Sequence, residues 1–206
     1  MNLTFLDAHN QRHTFIHIPK TAGKSISSYI LKYGIEPHAI CEKSHATRED
    51  LGLTGKDLGS TFAVVRNPYS RMVSLYRFLF ECDIKKITKK SNKYFDNPVG
   101  DLKWHSDLLS HYKGRLSFKR FCNKLPMMPF GEPQCSFLPA DRLLRYENLE
   151  KDFEHYRVSL NSKEPLWKIN STGTENNWVN YYDKETADQV YNVYKEDFVK
   201  LGYKKL

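Results

Sequence analysis

Short apolar runs alternate along this chain with stretches of helical periodicity. Thr14-Phe15-Ile16-His17-Ile18 is apolar and β-branched and is stopped by Pro19, so it reads as a buried strand. A tight loop, Lys20-Thr21-Ala22-Gly23, follows it. Ile26, Ile30 and Tyr33 then recur at helical spacing, with Gly34 where a helix-terminating glycine belongs. The same grammar returns at Phe62-Ala63-Val64-Val65, a second buried strand. After it Asn67 reads as an N-cap, Pro68 as the first helical residue, and Met72, Val73, Tyr76 and Leu79 or Phe80 as the apolar stripe. A third strand is expected at 143–146, followed by a helix carrying Leu149, Phe153, Tyr156 and Leu160. One last helix is expected from about Lys184 to Leu201. Strands alternating with helices predict a single α/β domain over 1–206 with a central, mostly parallel sheet flanked by helices. The less regular stretch 81–140 reads as a helical insertion, with 117–125 its clearest helix.

Composition narrows the classes. The 206 residues suffice for a sizeable core without disulfides or metal. Cys41, Cys82, Cys122 and Cys135 are scattered with no C-x-x-C pair, which argues for reduced thiols and against a zinc site. No apolar run approaches the roughly 18–20 residues of a membrane span. Residues 1–12 lack a basic-then-apolar leader, so the expected compartment is cytoplasmic, and a trimmed lumenal domain would look the same. The net charge of +8 points to an anionic partner without choosing among nucleic acid, nucleotide or acidic glycan.

Two segments carry the chemistry. In Ile18-Pro19-Lys20-Thr21-Ala22-Gly23-Lys24-Ser25 a loop joins a buried strand to a helix start. Such a loop aims backbone N–H groups at the positive end of the helix dipole, an anion site before any side chain is counted. Lys20 and Lys24 add charge, Thr21 and Ser25 add hydroxyls, and Gly23 admits close backbone approach. The G-K-S ending resembles a Walker A loop, but Ile18 stands where that motif needs its first glycine. The bland alternative is a strand-to-helix turn with no ligand. In Arg66-Asn67-Pro68-Tyr69-Ser70-Arg71-Met72-Val73-Ser74, Arg66 emerges from the carboxyl end of a parallel strand, where ligands of open α/β sheets bind. Ser70 and Ser74 share one helix face and either could bind the same anion. Here the bland alternative is an Arg66–carboxylate pair with solvent-facing serines. Two anion pockets at neighbouring strand ends suit a nucleotide with a 5′-diphosphate-like group and a separate ribose phosphate.

With these residues in hand, the sequence resembles the sulfotransferases that use 3′-phosphoadenosine-5′-phosphosulfate (PAPS), in the carbohydrate sulfotransferase branch and its bacterial relatives. Phe15 to Ile26 resembles the family's 5′-phosphosulfate loop and Phe62 to Tyr76 its 3′-phosphate segment. Weaker echoes lie at Ser44–Glu49, Pro133–Leu138, Leu144–Leu149, Tyr181–Tyr191 and Asp197–Tyr203. The resemblance implies a P-loop-like architecture in which Lys20, Thr21, Ala22, Gly23, Lys24, Ser25 and Ile26 cradle the phosphosulfate. It also implies that Arg66 and Ser74 hold the 3′-phosphate. The R-K-G-x-x-G motif of the cytosolic enzymes is absent, and the loop Lys168–Gly173 is the suspected cover for the nucleotide. Catalysis then needs Lys20 at the leaving phosphate oxygen and a base near neutral pKa for the acceptor hydroxyl. Of eight histidines, His45 in Ser44-His45-Ala46-Thr47 matches the family's apparent base, with His105 and then His38 behind it. Donor PAPS, product adenosine 3′,5′-bisphosphate, no metal, and a small-molecule or glycan acceptor are the implied ligands, with no nucleic acid partner. The lysines 85, 86, 89, 90 and 93 read as a solvated face or a rim for an acidic glycan. Trp104, Tyr112, Trp167 and Trp178 read as core or as sugar-stacking rings. The competing readings are a small P-loop kinase and a non-enzymatic basic module binding polyanions.

Overall fold

Leu3–Leu6 (β1), Arg12–Ile16 (β2), Ile35–Ala39 (β3), Ser60–Val65 (β4) and Arg142–Arg145 (β5) form one sheet in the order β3-β1-β2-β4-β5. The structure, a computed structural model, describes residues 1–42, 45–51, 58–81, 106–112, 114–125, 127–167, 169 and 177–206. β2, β4 and β5 are parallel, and β1 is antiparallel to both of its neighbours, so the sheet is mixed but mostly parallel. The helices are Gly23–Tyr33 (α1), Arg48–Leu51 (α2), Pro68–Tyr76 (α3), Phe118–Cys122 (α4), Leu149–Ser159 (α5), Lys184–Val193 (α6) and Lys195–Leu201 (α7).

Period-two alternation sorts the strand side chains between two layers. Phe15, Phe62 and Val64 pack with Ile26, Tyr29 and Ile30 of α1 and with Phe153 and Tyr156 of α5. Ile16, Ala63 and Val65 face the other way, onto Phe137 and Leu201. The rings of Phe62 and Tyr156 stack with centroids 4.0 Å apart, so truncating Phe62 to alanine removes about 3–5 kcal/mol of packing. On that second side a helical cluster forms from Met72 and Leu75 of α3, Phe121 of α4 and Val190 of α6. The described part of 81–140 holds no strand; its Leu108, Leu116 and Met128 join this cluster. Among the described residues no helix is long and apolar enough to cross a membrane.

The expected β2-loop-α1 and β4-α3 units are present, with three corrections. First, β1 and β3 were not anticipated. The turn after β1 is built by the Asp7 carboxylate, which accepts from the backbone N–H of His9 at 2.8 Å and of Gln11 at 2.9 Å. β3 is a mostly exposed edge strand that tolerates Pro37, so no apolar alternation announces it. Second, strand bounds shift: β2 ends at Ile16, leaving His17 and Ile18 beyond the strand, and β5 covers 142–145. Third, the last helix is two. Tyr194 (φ −107°, ψ 24°) interrupts it, and its hydroxyl donates to the Gly131 carbonyl at 2.6 Å.

Candidate active site

β2 and β4 are adjacent and parallel, so the loops leaving their carboxyl ends open at the same edge of the sheet. The first loop turns three successive carbonyls toward protein donors. Ile18 accepts from the Thr21 hydroxyl at 2.8 Å, Pro19 from Arg71 Nε at 3.0 Å and Lys20 from Arg66 Nη1 at 3.4 Å. Lys20 and Ala22 adopt left-handed backbone angles, φ 67° and 69°, that make this possible without glycine. Among the described residues the N–H groups of Thr21, Ala22 and Gly23 donate no internal hydrogen bond, as befits the start of α1. Inward carbonyls and outward amides make an anion cradle.

Gly23 has a different reason from the expected one. A Cβ built on it would lie 1.7 Å from His17 Nε2, so the glycine leaves room for a buried imidazole. Ser25 accepts a hydrogen bond from the Ile169 N–H at 3.0 Å, and Ile26 is fully buried under the sheet. Ile169 lies in the suspected covering loop, of which 168 and 170–173 fall outside the described residues. The Trp167 ring, beside Tyr29 with centroids 5.6 Å apart, anchors that segment on α1.

Asn67 caps α3 as expected, its side chain accepting from Tyr69 and Ser70 N–H groups, with Pro68 in the first turn. This start aims Arg66 back over the first loop. Its guanidinium is 3% exposed, lies 3.9 Å from the Tyr146 ring centroid, and donates from Nε to Ser70 Oγ at 2.9 Å. The anticipated serine pair therefore divides. Ser70 orients Arg66, while Ser74, one turn on and buried, makes no side-chain hydrogen bond among the described residues.

His45 lies against the first loop. Its ring meets His17 edge-on with centroids 4.3 Å apart and Phe130 with centroids 5.3 Å apart. Nδ1 lies 3.4 Å from the His17 carbonyl, an arrangement that makes Nδ1 the donor and leaves the lone pair on Nε2. Burial, with the positive charges of the N-terminal ammonium and then of Lys20 and Arg71 behind it, pushes His45 down to about 3. Burial likewise holds His17 well below the ordinary histidine range. Lys20 Nζ sits 3.9 Å over the ring of Phe78, in the π-helical turn Arg77–Glu81 that continues α3. Phe78 in turn meets Phe130, with centroids 6.4 Å apart. Arg66 and His45 thus both lie against the loop that carries Lys20, Thr21, Ala22, Gly23, Lys24 and Ser25, Arg66 through the Lys20 carbonyl and His45 through His17.

His38 is exposed on β3, at the far edge of the sheet, and His105 lies outside the described residues, as do Trp104 and the lysines 85–93. Tyr112 and Trp178 are occupied in packing, against Phe80 and Tyr69 respectively. Among the described residues no three His, Cys, Asp or Glu side chains converge as a metal site.

Sequence reasoning missed Gln134, Asp197 and Arg71. The Gln134 side chain brackets Arg66, accepting from its N–H at 2.8 Å and donating to its carbonyl at 2.8 Å. Asp197 of α7 holds Gln134 in turn, accepting from its backbone N–H at 2.8 Å and from that of Cys135 at 2.9 Å. The resembling segments at 133–138 and 197–203 flagged these stretches but not the roles within them. For Arg71 the usable signal is that every residue of α3 is buried, which makes each polar one on it a candidate.

The description "Sulfotransferase family" matches the chain over residues 4–204. No curated protein and no solved structure matches it. An α/β domain whose two strand-to-helix loops open at one sheet edge, read together with a match of that length, makes this chain a member of the sulfotransferase family, whose chemistry is sulfuryl transfer.

Proposed function

We propose that the protein moves the sulfuryl group of PAPS to a hydroxyl of an acceptor, a carbohydrate or carbohydrate-like small molecule. The observation that carries this reading is the 3.4 Å approach of Arg66 Nη1 to the Lys20 carbonyl. It sets the two loops side by side, which supports a donor carrying both a 3′-phosphate and a 5′-phosphosulfate. Lys20 to Ser25 cradle the 5′ end, while Ile26, buried with its N–H donated to the Ala22 carbonyl, anchors the helix behind them, and Arg66, with Ser74 on the same helix, receives the 3′-phosphate. The cover over the nucleotide is the segment 168–173, a role favoured by the Ile169–Ser25 contact.

The step is an in-line displacement at sulfur. The bond from sulfur to the bridging phosphate oxygen breaks, and a bond from the acceptor oxygen to sulfur forms. The acceptor proton passes to Nε2 of His45, and adenosine 3′,5′-bisphosphate leaves with the bridging oxygen. Lys20 leaves the Phe78 face to neutralise charge on that oxygen, and the loop amides serve the sulfuryl oxygens. An imidazole held neutral by burial is in the proton-accepting form at neutral pH. The arriving anionic donor offsets the Lys20 and Arg71 charges and raises its basicity toward the working range.

Calorimetry decides the matter. Adenosine 3′,5′-bisphosphate should bind with ATP a poor competitor; tight ATP binding with no bisphosphate binding would return the protein to the kinase reading. Affinity for polyanions with a steep salt slope and no nucleotide requirement would favour the non-enzymatic module instead.

A further inference from the structure

Arg71 is fully buried, and no carboxylate among the described residues lies within ion-pair distance of it. Its nearest acidic neighbours are Asp197, already engaged by Gln134 and Cys135, and the exposed Glu132. Nε donates to the Pro19 carbonyl at 3.0 Å, Nη2 donates to the Phe130 carbonyl at 3.1 Å, and Nη1 has no hydrogen-bond partner. A guanidinium placed inside a protein without a counter-charge is costly and is kept only where its fork does something an apolar side chain cannot. Here it joins two loops that are 111 residues apart in the sequence and both lie beside His45.

Each of those carbonyls governs a group at the site. The peptide unit is planar and trans, so fixing the Pro19 carbonyl inward points the Lys20 N–H the other way. Phe130, itself at φ 62°, carries the ring that backs His45. We propose that Arg71 is a positioning residue: its rigid fork sets the donor loop at a fixed distance from the Phe130 wall behind His45, so that the 5′ end of the donor meets a preformed cradle. This rests on the sulfotransferase reading above.

The test compares adenosine 3′,5′-bisphosphate with adenosine 3′-monophosphate by calorimetry, since their affinity ratio reads the 5′-phosphate contacts alone. In Arg71→Lys, which keeps charge but cannot reach both carbonyls, that ratio should fall by about tenfold or more, with 3′-monophosphate affinity unchanged. Arg66→Ala should do the reverse and weaken both ligands through the shared 3′-phosphate. A purely structural role for Arg71 would weaken the two ligands equally. A ratio unchanged in Arg71→Lys, while the wild-type protein binds the bisphosphate, overturns the inference. No bisphosphate binding by the wild type instead overturns the function on which it rests. Should the variant not fold, hydrogen exchange on the wild type decides. The bisphosphate should protect amides at 127–131 as well as at 20–26, and protection confined to 20–26 overturns the tie.

Discussion

Replacing Gly23 with alanine drives a methyl group into the His17 imidazole. The added Cβ would sit 1.7 Å from Nε2 and 1.8 Å from Cδ2, where unstrained contacts begin at about 3.5 Å, so the ring must retreat by about 1.5–2 Å. It has little room to do so. His17 is 6% exposed, stacks on Phe15 with centroids 5.7 Å apart, and meets His45 at 4.3 Å. Overpacking of this kind costs about 1–3 kcal/mol, and the rigid surroundings place it near the top of that range. Alanine returns at most about 1 kcal/mol through its better helix propensity, leaving a net loss of about 2 kcal/mol. Urea unfolding of the wild type, Gly23→Ala, His17→Ala and the double variant measures it. With the imidazole gone the methyl group has space, so the double variant should be more stable than the sum of the singles by about 1 kcal/mol or more. A Gly23→Ala cost below about 0.5 kcal/mol, or the same cost in the His17→Ala background, would refute the reasoning.

Other outcomes follow from the same geometry. Gln134→Ala, which removes both hydrogen bonds to the Arg66 backbone, should weaken adenosine 3′,5′-bisphosphate by up to about thirtyfold at about 1 kcal/mol per bond and leave adenosine 5′-monophosphate binding unchanged; equal losses for both ligands in calorimetry would contradict it. Lys20→Ala should reduce turnover by about a hundredfold or more, read as sulfate transfer from labelled donor, once an acceptor screen has supplied a substrate. His45→Ala should abolish transfer while leaving bisphosphate binding intact, and full activity in that variant removes His45 from the role of base. Between about pH 7 and pH 4 folding stability should fall as pH drops. The unfolded chain protonates His17 and His45 near 6.5, whereas the folded chain binds those protons only at much lower pH. Urea midpoints between pH 7 and pH 4 check this, and His45→Gln should flatten the decline.

The two strand-loop-helix units were legible because Phe15-Ile16 and Phe62–Val65 are apolar runs followed within a few residues by Pro19 and Pro68 and then by helical spacing. The loops could be singled out as candidate sites because the loop, its amides and its lysines are neighbours in sequence. What escaped the sequence is either exposed or long-range. β3 has no buried face to write an alternating pattern, and β1 is only four residues, joined to β2 by a turn whose carboxylate binds His9 and Gln11 and pairs with the His13 ring on β2. The break at Tyr194 was hidden because Ala187, Val190, Tyr194, Phe198 and Leu201 keep helical spacing across it. Gln134 meets Arg66 across 68 positions and Asp197 across 63, and no local periodicity encodes such a meeting.

That relay from α7 through Gln134 to Arg66 has a consequence for how the pocket comes into being. Segments near positions 20, 66, 134 and 197 must all be docked before the donor finds its complete set of partners, so no early portion of the chain holds a finished pocket. Nucleotide then acts as a ligand of the whole native state rather than of one loop. At a hundredfold excess over its dissociation constant it should stabilise the entire domain by about 2.7 kcal/mol in a single cooperative transition.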